Sequence, residues 1–173
     1  MSSRENLIKK DQMKKLNLVL SALTLVILIG FTGSVFADKI ASCNNASGYS
    51  NYHHAGILGK KQSGWTEDKI TGGIFTVIKN NETEYDILFT DASKTIISSK
   101  EDGGDVMPIR AGDSDVTFVV IYPGKTMELW TFYIEKDGRG RFDLLQSKGG
   151  NLLQHKSTVM SGDCSFVNLK ALI

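Results

Sequence analysis

Residues 116–135 read VTFVVIYPGKTMELWTFYIE. The first run, Val116 to Tyr122, is β-branched and aromatic and stops at Pro123-Gly124. The second alternates Met127, Leu129, Thr131 and Tyr133 with Glu128, Trp130, Phe132 and Ile134. Two β runs on either side of a strong turn signal predict a hairpin. Trp130 and Tyr133 have opposite parity on their strand, so they point to opposite faces. One of them is therefore expected outside the core, exposed or beneath another segment.

Similar runs extend outward from this hairpin. Upstream lie Ile74–Ile78, Tyr85–Phe89, Lys94–Ser99 and Val106–Arg110, separated by Asn, Asp, Ser and Gly clusters. Pro108 within the last of these suits an edge strand or a bulge. Downstream, Asp137-Gly138 is a hairpin signal before Arg141–Gln146, and Ser157–Met160 closes the series. Strands recurring at roughly 8–12-residue spacing indicate an antiparallel all-β domain. There is no βαβ alternation, which argues against a parallel nucleotide-binding sheet. The expected fold is an antiparallel β-sandwich or up-and-down β-barrel of about eight strands, joined as a meander.

Ala41–Lys69 reads differently. It is rich in Gly, Ser and Asn and is expected to be a long irregular segment crossing the sheet, a kind of loop that often carries function. It holds Tyr49, Tyr52, His53, His54 and Trp65, the residues expected to form a binding surface. Trp65, just before the first strand, is expected to plug one end of the core.

The N-terminus has the layout of a secretory signal: Lys9, Lys10, Lys14 and Lys15, an apolar run from Leu16 to Ile29, then Val35-Phe36-Ala37 before Asp38. The expected organisation is a signal peptide over 1–37 and one all-β domain over 38–173, irregular at 41–69 and stranded over 70–173. Two other readings stay open. The apolar run, somewhat short for a span of ~20 residues, would serve as a retained anchor. Alternatively, Ile40-Ala41-Ser42-Cys43 would direct lipid modification of Cys43, although Asp38 and Lys39 disfavour that processing. With the signal removed, no second apolar run approaches membrane-spanning length. The expected location is secreted or periplasmic.

Export makes a disulfide between Cys43 and Cys164, the only cysteines, the expected state. Residues 1–37 hold five of the 20 basic and two of the 19 acidic side chains, leaving 15 and 17 and a net charge near −2. Without a basic stripe, nucleic acid is not an expected partner.

Signals for chemistry are sparse. Adjacent His53 and His54 would supply a general base or metal ligands, but His155 is the only other histidine and no zinc spacing exists. No G-x-S-x-G elbow is present. Asp102/Asp105 and Asp113/Asp115 suit turns better than calcium. Glu128 and Asp86 would serve as paired carboxylates, but nothing in the sequence brings them together. No catalytic residue, metal or cofactor is therefore assigned.

Trp65 with Asp68 before Ile70-Thr71-Gly72-Gly73, Tyr85-Asp86-Ile87-Leu88, Tyr122-Pro123-Gly124, Glu128 leading an aromatic strand, and Ser161-Gly162-Asp163-Cys164 together give a layout that resembles small uncharacterised secreted β-rich proteins of Gram-negative bacteria. The resemblance implies no activity and no functional residue. The lipocalin-type G-x-W signature is not met, because Gly64 and Trp65 are adjacent. The expected function is an exported, non-enzymatic binding or accessory protein that recognises a protein, glycan or envelope component, for example as a hydrolase inhibitor. The alternative is a secreted enzyme using His53 or His54.

Overall fold

The structure, a computed structural model, describes residues 37–172. Residues 1–36, and with them nearly all of the expected export signal, lie outside that range. The described chain is antiparallel β with two short 3₁₀ turns, Lys60–Gln62 and Leu169–Leu172. Its strands are β1 (Asp38–Gly56), β2 (Gly64–Lys69), β3 (Ile74–Lys79), β4 (Tyr85–Thr90), β5 (Ile96–Ser98), β6 (Asp105–Ala111), β7 (Asp115–Tyr122), β8 (Thr126–Ile134), β9 (Gly140–Lys148) and β10 (Gln154–Val167). Among the described residues no helix is long and apolar enough to cross a membrane.

The strands form one sheet in the order β5-β4-β3-β1-β10-β9-β8-β7-β6, with β2 also paired to β1. Antiparallel β2 and β3 take successive parts of one edge of β1, β2 along Ser47–Tyr52 and β3 along Asp38–Asn44. Together they are a single return strand broken at residues 70–73. The topology is thus the expected meander, with its first and last strands paired. The hydrogen-bonded order stays open between β5 and β6. The sheet nevertheless rolls on itself. Phe75 on β3 meets Trp130 on β8 at 4.8 Å between ring centroids, and Tyr85 on β4 meets Phe118 on β7 at 5.3 Å.

β1 and β10 form the seam, and Cys43 and Cys164 face each other in its register and are disulfide-bonded. The seam is close-packed: a Cβ on Gly48 would lie 2.1 Å from the Val159 carbonyl oxygen. Pro108 sits on the edge strand β6, where the register shifts between Pro108 and Arg110. An edge tolerates the missing N–H, as expected.

Two expectations are corrected. The segment Ala41–Lys69 is not irregular: β1 and β2 occupy most of it, and they are the two strands beyond the expected eight. Its Gly, Ser and Asn residues have low strand propensity, but pairing on both sides of β1 outweighs local preference. Irregularity survives only as bulges, chiefly between Asn44 and Ser47, where Asn45 has φ 57°. Trp65 does not plug the core. It stands opposite Asn51 on the outer face, 63 % exposed, because Asp68 and its parity partners take the inner face. Trp130 and Tyr133 do separate as their parity requires: Trp130 is buried in the core and Tyr133 is half-buried on the outer face.

Candidate functional site

The register arranges the inner face in layers. One row runs Val116, Phe132, Phe142 and Gly162. The next runs Phe118, Trp130, Leu144, Met160 and Gly48. Above it come Val120, Glu128, Gln146, Thr158 and Ser50, and then Tyr122, Thr126, Lys148, Lys156 and Tyr52. Each row lies two residues along every strand from the one below, about 7 Å. The interior therefore grades from an aromatic floor through a polar belt to a lip carrying lysines.

A cavity of about 370 Å³ opens at this end. Its apolar lining includes Phe75, Ile87, Phe89, Trp130 and Leu144, and its polar lining includes Glu128, Gln146, Tyr122, Lys125 and Lys148. Glu128 is buried on the wall. Trp130 Nε1 donates to its Oε2 at 2.8 Å, and Gln146 Nε2 donates to its Oε1 at 2.6 Å. Burial pushes the Tyr122 phenol upward, so the lip presents it as a neutral hydroxyl. Asp86 does not join Glu128. Its carboxylate accepts from Ser98 Oγ at 2.5 Å and from the Lys100 N–H at 3.2 Å, fixing the turn after β5.

Farther round the same belt is a second polar group. Asp68 Oδ2 accepts from Ser50 Oγ at 2.7 Å, from Lys156 Nζ at 2.9 Å and from the Tyr52 hydroxyl at 3.3 Å. Thr158 and Ser50 hydroxyls lie 2.9 Å apart, and the Lys156 ammonium stands 5.3 Å from the Tyr52 ring centroid. Burial alone would push the Asp68 carboxyl up. The hydrogen bonds from Lys156 and Ser50, the Lys156 charge and the Lys69 N–H outweigh it and hold the group below its ordinary 3.8. A depressed folded value adds stability that is present above the unfolded value and lost as pH falls through the folded one. The melting-temperature gap between the parent protein and Asp68→Asn is therefore expected to be widest near neutral pH. It should narrow below about pH 4, measured by thermal denaturation across pH.

The residues singled out from sequence are divided between faces. Tyr52 points inward to Asp68. Tyr49 and Trp65 are exposed on the outer face. His53 is half-buried, with Nε2 3.2 Å from Ser157 Oγ, and His54 is exposed. Among the described residues no carboxylate hydrogen-bonds to the His53 ring. Among the described residues, no three His, Cys, Asp or Glu side chains are grouped to hold a metal. Tyr49 also ends an outer apolar row that runs through Val159, Leu145, Leu129 and Val119 to Met107 across six strands.

The cavity residues Gln146, Lys148 and Lys125 carry no local motif. Glu128 had one legible sign, a carboxylate sharing the parity of Trp130 and Phe132. No family model, curated protein or solved structure matches this chain.

Proposed function

We propose that this is an exported, non-enzymatic binding protein that holds a small amphipathic component of the envelope in the mouth of its rolled sheet. The graded interior carries the reading: a ligand's apolar part fits against Trp130, Phe75 and Phe89, and its polar end meets the belt and lip. The volume falls at the small end of the roughly 300–1,000 Å³ typical of ligand sites. Export is supported by the signal-like N-terminus and by the Cys43–Cys164 bridge.

The chain has two tryptophans, one on the cavity floor and one outside. In Trp65→Phe, therefore, fluorescence reports on Trp130 alone. Titration with decanol is expected to give a saturable change in that emission. A flat titration overturns the reading.

The outer apolar row favours a second reading, docking onto a protein partner, as a hydrolase inhibitor would. Tyr49, Val159, Leu145 and Met107 in it are each 44–53 % exposed. Scattered exposed apolar residues are ordinary, but Tyr49, Val159 and Leu145 are neighbours in register on three successive strands. Leu145→Glu alters this row without touching the cavity. Retention by the envelope fraction that is lost in Leu145→Glu, with decanol uptake intact, favours docking over the cavity.

A further inference from the structure

Resting on the cavity reading, we infer that the ligand carries an organic ammonium group that pairs with Glu128. Glu128 is the one acidic side chain in the polar belt's β7-to-β1 row, and it is 9 % exposed. Among the described residues no Lys, Arg or His lies within ion-pair distance of it. A buried carboxylate without a counter-ion is costly, and removing it from water is offset only by what its surroundings supply. Trp130 and Gln146 each donate one hydrogen bond, one to each oxygen. A carboxylate has about four acceptor sites, so two donors fix its orientation and leave capacity for a third and fourth.

The neighbouring wall supplies the complementary chemistry. Trp130, Phe75 and Phe89 line the same cavity, and aromatic faces attract cations, most strongly where water is excluded. Asp68, a second acid of the inner face, is already paired with Lys156, so its charge is spent within the protein, and Asp102, which also lines the cavity, is exposed, so its charge is weakened by water and salt. The contrast leaves Glu128 as the charge awaiting a partner.

Lys125 and Lys148 at the lip raise the opposite possibility, an anionic head group. Lys125 is exposed and Lys148 half-buried, and charges open to water are weakened by it and by salt. An anion descending past the lip would also approach Glu128 and be repelled by it. The buried charge therefore decides the class, and the lip lysines are left to solvate whatever projects outward.

Three probes of equal chain length separate these cases: decylamine, decanol and decanoate, each titrated below its aggregation limit and followed by Trp130 emission in Trp65→Phe. Decylamine is expected to bind about tenfold or more tightly than decanol, the scale of a charge-assisted hydrogen bond at a buried site. In Glu128→Gln, checked for fold by circular dichroism, the ratio of the two affinities should fall to about one. Equal binding of amine and alcohol to the Trp65→Phe protein overturns the ammonium inference and leaves the cavity reading standing. Preference for decanoate overturns it in favour of the lip lysines. Failure of all three to bind overturns the cavity reading itself. The ranking in Trp65→Phe is decisive even where Glu128→Gln does not fold.

Discussion

Replacing Cys43 and Cys164 together by serine is expected to lower the unfolding free energy by about 5 kcal/mol, the chain-entropy value for so long a loop. The bridge spans 121 residues of sequence, nearly the whole described chain. Its location adds to the expectation. It sits within the β1–β10 ladder, the pairing that joins the meander's first strand to its last. In the reduced chain that pairing must be found across the longest separation in the fold, whereas β7–β8 or β8–β9 pairing is local. Urea denaturation of parent and double variant, with far-ultraviolet circular dichroism as the readout, measures the loss. Because the bridge acts mainly on the unfolded chain, the variant's native state should still take up decanol below its transition. A loss under about 1 kcal/mol would mean that the entropy of closing the ends is met elsewhere, with the β1–β10 ladder sufficient alone.

The same difference between local and distant pairing explains which parts of the fold were legible in sequence. The β7–β8 and β8–β9 hairpins announce themselves at Pro123-Gly124 and Asp137-Gly138, whose glycines adopt φ of 71° and 87°. Each strand there meets a sequence neighbour, so turn chemistry and alternation suffice. β1 has no such sign. Along the stretch that pairs with β2 its inner-face positions are Gly48, Ser50 and Tyr52, and its partners on the other side, such as Met160 and Thr158, lie more than a hundred residues away. A small residue at 48 reads locally as loop, yet it is required because the Val159 backbone occupies the space of a side chain.

The candidate site follows the same logic. Adjacent imidazoles at 53 and 54 attract attention as a chemical pair, but successive strand residues turn to opposite sides, and the His53 ring meets Ser157 rather than an acid. Glu128 could be seen to share a face with Trp130. That this face is the inner one, and that Gln146 stands beside Glu128, depends on register, which alternation within a single strand does not specify.

Trp130→Ala is expected to destabilise the domain by about 3–5 kcal/mol, the range for truncating a large buried aromatic. Trp130 is 3 % exposed and packs against Phe75, Phe142 and Phe132, with ring centroids 4.8, 5.8 and 6.2 Å away. Packing is only part of the loss, because the indole N–H also satisfies Glu128 Oε2. Trp130→Phe separates the two contributions. It keeps most of the aromatic contact and removes the donor, and it is expected to cost about 1–3 kcal/mol, the penalty of leaving a buried acceptor short. A third variant tests that assignment. Glu128→Met removes the acceptor, so Trp130→Phe made in that background should cost measurably less than in the parent protein. The shortfall in a double-mutant cycle from urea denaturation is the coupling between indole and carboxylate. Strict additivity would assign the whole Trp130→Phe cost to packing. Positive coupling would mean that the floor of the cavity and the charge on its wall are held by one structural element. The carboxylate would then be kept in a fixed orientation by the residue that forms the apolar surface beside it.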